Sequence, residues 1–114
     1  MKKKILVIDD DAEICCLMKD VLTTAGYAVE TSCSGKEGVK MALKNGFKAV
    51  LLDVMMPEMS GQETLELLRK KGSKIPIVYV TVKPKEEVDL KHTSGFVQKP
   101  FKNMDLLKVV ESVS

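Results

Sequence analysis

Ala49-Val50-Leu51-Leu52-Asp53-Val54-Met55-Met56-Pro57-Glu58-Met59-Ser60-Gly61 is the stretch that decides the fold of this chain. Its first four residues are apolar without alternation, and an acid ends the run. A strand with no polar face is buried on both faces, as happens in a parallel sheet covered by helices on each side. Ser60-Gly61-Gln62-Glu63 then has the pattern of a capping box, with a Ser side chain and a Glu three residues later serving each other's free backbone N–H groups. It predicts a helix through about Lys71, stopped by Gly72. Strand, acid, turn, helix is therefore the local grammar.

The same grammar recurs on either side. Ile5-Leu6-Val7-Ile8 is a second fully apolar run, and it ends in Asp9-Asp10-Asp11. Asp11 is placed to cap a helix whose apolar positions are Ile14, Leu17, Met18, Val21, Leu22 and Ala25, and Gly26 stops it. Tyr27 to Ser32 alternates and reads as a strand. Gly35 to Asn45 puts Val39, Ala42 and Leu43 on one helical face and ends at Gly46. Ile75 to Val80 is a third buried strand, with Pro76 at its start, where a missing donor is tolerable, and Thr81 at its end. Gly95 to Gln98 is a short last strand. From Asn103 onward, Leu106, Leu107, Val109, Val110 and Val113 form a helical stripe.

This repeating β-α order predicts a doubly wound α/β fold: a flavodoxin-like five-stranded parallel sheet of order 2-1-3-4-5. A closed eightfold barrel needs about twice this length. With 114 residues and 45% hydrophobic content, residues 1–114 read as one domain. There is no internal repeat, low-complexity tract or linker.

The net charge of +2 and the interspersed acids and bases exclude a strong nucleic-acid footprint. Lys2-Lys3-Lys4 and Arg69-Lys70-Lys71 are short and read as solvated charge. No apolar run approaches the ~18 residues of a membrane span, and Asp9 cuts short any signal-peptide core. Cys15, Cys16 and Cys33 have no metal-ligand spacing and read as reduced thiols of a cytoplasmic protein.

Open parallel sheets form their sites beyond the carboxyl ends of the strands, beside the switch in strand order. Four strand ends here carry reactive types: Asp9-Asp10-Asp11, Asp53, Thr81 and Lys99. Each has an ordinary alternative as a cap, a turn former, a strand residue or a surface lysine. Their joint placement at one end of one sheet is what singles them out. Asp9, Asp10 and Asp53 repel one another unless a cation intervenes. An all-oxygen donor set suits a hard ion, Mg²⁺ or Mn²⁺. With a lysine and a hydroxyl beside them, the carboxylates make a site for phosphoryl transfer.

Ile5 to Asp11, Leu51 to Gly61, Val80-Thr81 and Gly95-Phe96-Val97-Gln98-Lys99-Pro100-Phe101 together resemble the motifs of two-component response-regulator receiver domains, over essentially the whole chain. The resemblance implies that Asp53 accepts a phosphoryl group from the phosphohistidine of a sensor histidine kinase or phosphotransfer protein. It implies direct Mg²⁺ ligation by Asp10, Asp53 and the backbone carbonyl of Met55, with Asp9 acting through water. Thr81 would hydrogen-bond the phosphoryl group, Lys99 would pair with acceptor or phosphate, and Phe96 would be a switch aromatic, its alternative being plain core filling. The Lys99-Pro100 bond would be cis. Such a domain catalyses only its own phosphorylation and dephosphorylation and is not an enzyme acting on other substrates. Its partners would be the kinase and a downstream protein target or effector domain, with no direct contact to nucleic acid or membrane. No effector segment follows Ser114, so the expectation is a stand-alone receiver or a domain of a longer regulator.

Two features depart from the family pattern. The residue after Thr81 is usually very small, and here it is Val82, which would narrow access to an acyl phosphate. Fewer residues than usual separate Thr81 from Lys99, and the shortfall lies in the fourth helix, part of the family's usual output surface. Between Lys83 and His92 only Val88 and Leu90 are apolar, and a spacing of two makes no helical face. The fourth helix is therefore expected to be short, irregular or a loop, with Lys83 within reach of the phosphate and His92 on the surface. Two other functions compete: a phosphorylation-independent interaction module on the same fold, and a phosphohydrolase. The latter wants a second acid two residues after the nucleophile, where Met55 stands. No Gly-rich nucleotide loop is present.

Overall fold

Five parallel strands lie in the order β2-β1-β3-β4-β5 in the computed structural model, which describes residues 2–44 and 46–114. The strands are β1 (Lys4–Ile8), β2 (Ala28–Ser32), β3 (Ala49–Leu52), β4 (Ile77–Thr81) and β5 (Gly95–Gln98). The helices are α1 (Ala12–Thr24), α2 (Gly35–Lys44), α3 (Gly61–Lys70) and α4 (Asn103–Val113). The expected end of the second helix at Asn45 lies outside the described residues. This is the doubly wound flavodoxin-like sheet that the apolar runs predict. No helix among the described residues is long and apolar enough to cross a membrane.

Alternate residues of the central strands feed two cores. Ile5 and Val7 of β1 and Ala49 and Leu51 of β3 pack with Met18 and Leu22 of α1 and Leu106 and Val110 of α4. Leu6, Ile8, Val50 and Leu52 pack on the other face with Val39 and Ala42 of α2 and Leu65 and Leu68 of α3. All eight strand residues are fully buried, which is why these runs show no polar alternation. The caps form as read. Asp11 accepts from the backbone N–H groups of Glu13 and Ile14, and the Ser60–Glu63 capping box is complete. Gly26 and Gly72 follow their helices at φ of 102° and 88°, a left-handed conformation that costs other residues more. Pro76 falls just outside β4, and its carbonyl still accepts from Val50 N at 2.9 Å.

The connection from β4 to β5 holds no α-helix. Its one regular piece among the described residues is a 3₁₀ turn at Lys85–Glu87. Val88 leaves that turn with extended dihedrals, φ −119° and ψ 131°. Residues two apart on an extended chain share a side, and Val88 and Leu90 both pack into the second core beside Tyr79 and Leu65. The spacing that forbids a helical face thus suits an extended strap. Arg69 of α3 ties the strap down, donating from Nη2 to the His92 carbonyl at 2.9 Å and from Nη1 to the Ser73 carbonyl at 3.1 Å. His92 itself is exposed, as expected.

Candidate functional site

Sheet register brings the four strand ends together. Ile8 of β1 pairs with Leu52 of β3, so Asp9 and Asp53, the next residue of each strand, are neighbours. Thr81 of β4 pairs with Gln98 of β5, so Lys99 follows directly, its N–H donating to the Thr81 carbonyl at 2.8 Å. The Lys99-Pro100 peptide is cis.

One carboxylate oxygen from each of Asp9, Asp10 and Asp53 lies within 4.8 Å of the other two. Asp9 and Asp53 are buried and Asp10 is exposed. Lys99 Nζ reaches in between the buried pair, 2.6 Å from Asp9 Oδ2 and 3.3 Å from Asp53 Oδ2. The other oxygen of each acid is also held: Asp9 Oδ1 accepts from Asp11 N at 2.9 Å, and Asp53 Oδ1 accepts from Met55 N at 3.1 Å. Burial pushes the Asp9 carboxyl above its usual value, against the pull of the Lys99 hydrogen bond. Burial also works against the Lys99 ammonium, but the Asp9 hydrogen bond and the charges of Asp53 and Asp9 outweigh it and hold the lysine charged.

Three oxygen donors this close, with a single lysine to balance them, fit a hard divalent cation. Mg²⁺ needs few protein carboxylates because it keeps waters, and the exposed Asp10 leaves the cluster open on one side. Thr81 is fully buried at the end of β4, and its Oγ1 accepts from Lys83 N at 3.3 Å. Phe96 of β5 is half-buried against the second core. Val82 is 58% exposed, at the rim of the strand end. An open hollow of about 450 Å³, lined by Val54, Met55, Met56, Ser60, Gln62 and Lys83, borders the loop that leaves Asp53.

Two supporting residues carry little sequence signal. Gly61 packs on the backbone of the acceptor strand: a Cβ there would collide with the Asp53 carbonyl oxygen and lie 2.7 Å from Val54 Cα. A glycine at the first helical position, where it is a poor helix former, is a hint, as is its place at the end of the Leu51–Gly61 motif. Cys15 sits behind the cluster with Sγ donating to the Asp9 carbonyl at 3.3 Å, and burial pushes its thiol up to about 12.

The family model for the response regulator receiver domain matches residues 5–111. The uncharacterized transcriptional regulatory protein YkoG of Bacillus subtilis is 36% identical over 110 residues, which cover 93% of this chain and 48% of that protein. A CpxR homolog of Haemophilus influenzae, also a transcriptional regulatory protein, is 33% identical over 117 residues, 96% of this chain and 49% of its own. The chain thus spans about half the length of these curated relatives. Among solved structures, the chemotaxis protein CheY4 of Vibrio cholerae superposes with a TM-score of 0.91 at 32% identity, covering 100% of both chains. The response regulator TrrA of Thermotoga maritima, in complex with Mg²⁺–BeF, superposes with a TM-score of 0.91 at 30% identity, covering 98% of this chain and 99% of that one.

Proposed function

Because the chain belongs to the response regulator receiver domain family, whose work is phospho-accepting two-component signalling, we propose that its acceptor is Asp53 and that its donor is a histidine kinase or phosphotransfer protein. The observation that carries this reading is the convergence of Asp9, Asp10, Asp53 and Lys99 at the carboxyl end of one sheet.

An Asp53 carboxylate oxygen attacks the phosphorus of the donor's phosphohistidine. The P–O bond forms as the P–N bond breaks, and the imidazole leaves, giving an aspartyl phosphate. The backbone N–H of Met55 orients the attacking carboxylate. Lys99, already held between the two buried acids, follows the new phosphoryl oxygens with its charge. Thr81, at the adjacent strand end, offers its hydroxyl to the same oxygens. Asp10, Asp53 and the Met55 carbonyl would hold Mg²⁺, which when bound neutralises charge on the transferring oxygens. Asp9 is the acid that Lys99 holds more closely, at 2.6 Å against 3.3 Å for Asp53, which supports contact of Asp9 to the ion through water. Phe96, half-buried on β5 and paired with Tyr79 of β4, would be the switch aromatic that follows Thr81. The chain catalyses only its own phosphorylation and dephosphorylation and hands its state to a downstream protein target or effector domain, the latter supported by the transcriptional regulatory proteins that it half spans.

The test is intact-mass measurement after incubation with Mg²⁺ and a small acyl-phosphate donor. One phosphoryl group is expected on the natural chain and none on Asp53→Asn. Absence of label on the natural chain, under conditions that label another receiver, would leave the phosphorylation-independent module standing instead.

A further inference from the structure

Along the seam between α2 and α3 runs an apolar groove of about 500 Å³. Val39 and Leu43 of α2, Leu67 of α3 and Met59 of the preceding loop line it. Leu43 is 44% exposed, a large side chain left open at the surface. Lys36, Lys40 and Lys71 stand around this floor, all three exposed, and Glu58 is the one acid in the lining. None of the three lysines has an ion pair among the described residues.

We propose that this groove docks an acidic, amphipathic helical segment of a protein partner. The α2 residues that line it, Lys36, Val39, Lys40 and Leu43, follow helical spacing along one face. They span ~10 Å at 1.5 Å per residue, room for two turns of an added helix presenting apolar anchors at i, i+4 and i+7. A concave apolar floor accepts protruding side chains, whereas a lipid surface needs apolar groups that protrude from the protein. Nucleic acid has no use for such a floor, because its affinity comes from phosphate contacts. Three lysines against one glutamate select a partner with acids flanking its anchors. The groove abuts the loop from Asp53 to Gly61 through Glu58 and Met59, yet docking needs no phosphoryl group, so its test runs without donor or Mg²⁺ and stands apart from the test of Asp53.

The probe is a synthetic helical peptide with Leu at i, i+4 and i+7 and Glu at the flanking positions, paired with a copy carrying Lys for Glu. Each is titrated into the ¹⁵N-labelled chain. The acidic peptide is expected to shift amides at residues 36–43, 58–59 and 67–71. The double variant Lys40→Glu/Lys71→Glu should weaken it by about tenfold or more and pass the preference to the basic copy. Leu43→Ser should weaken both peptides. The proposal is overturned by shifts centred on another face, by no shifts at millimolar peptide, or by equal binding of the two copies. Phosphatidylglycerol vesicles or a DNA oligomer acting on the same amides more strongly than the peptide would also overturn it.

Discussion

Lys99 Nζ stands 2.6 Å from Asp9 Oδ2, closer than its 3.3 Å approach to Asp53 Oδ2. In the resting chain the lysine therefore serves first to compensate a fully buried carboxylate and only second to face the acceptor. Removing one partner of a buried ion pair leaves the other uncompensated, at a cost of ~3–5 kcal/mol. Lys99→Met should accordingly lower unfolding free energy in chelator by about 3 kcal/mol, read from urea titration. Mg²⁺ should restore more stability to this variant than to the natural chain, and adding Asp9→Asn should recover much of the loss. A Lys99→Met chain within about 0.5 kcal/mol of natural stability would show that the pair carries no such burden.

Gly61→Ala gives a second test, with a diagnostic sign. Near the start of a helix, Gly to Ala ordinarily stabilises by up to ~1 kcal/mol. Here the new Cβ meets the backbone of Asp53 and Val54, which cannot swing aside as a side chain does. The expected result is a loss of ~1–3 kcal/mol, as for other overpacked sites, together with slower labelling of Asp53 as the backbone that carries it is displaced. A stabilised variant with unchanged labelling would place the acceptor loop elsewhere.

The sheet, the caps and the four strand-end residues were legible in the sequence because their signals are local. A run such as Val50-Leu51-Leu52 declares burial on both faces, and the acid, threonine or lysine at each strand end, ordinary when taken singly, stands out once all four ends are read together. The strap after β4 was legible by half. The Val88–Leu90 spacing rules out a helical face, but only the sheet reveals that Tyr79 and Leu65 need covering there. The preference of Lys99 for Asp9 depends on a distance between segments 90 residues apart, for which no local pattern exists, and the approach of Gly61 to Asp53 depends on how the intervening turn folds back, which its residue types do not spell out.

Tyr79 supplies the pH dependence. Its ring is fully buried and its hydroxyl has no partner among the described residues. Burial first, then the charges of Asp89 and Glu66, push the hydroxyl from its ordinary 10.0 up to about 12. A raised folded value means that the contribution to stability is complete below pH 10 and is lost as the pH climbs towards 12. Tyr79→Phe should remove that alkaline component, seen as a flatter unfolding free energy over this window. At neutral pH the same variant should be more stable by ~1 kcal/mol, since a buried hydroxyl without a partner costs ~1–3 kcal/mol. A destabilised Tyr79→Phe chain with unchanged alkaline behaviour would mean that the hydroxyl is satisfied.

Val82 tests access to the acceptor. It follows Thr81, whose Oγ1 is fixed by the Lys83 N–H, and its 58% exposure places the branched side chain at the rim rather than in the core. Val82→Ala should therefore leave stability within about 0.5 kcal/mol, as expected of a surface change. Its effect should fall on rates. A bulky phosphohistidine donor has to pass this rim, and so does the water that hydrolyses the aspartyl phosphate. Labelling by a phosphotransfer protein should rise several-fold in the variant, a change of ~1 kcal/mol in barrier, while labelling by a small acyl phosphate changes less. Loss of phosphate should quicken in parallel. Equal rates in both chains, for both donors and for hydrolysis, would remove Val82 as a gate and leave Thr81, Lys99 and the ion to set the lifetime.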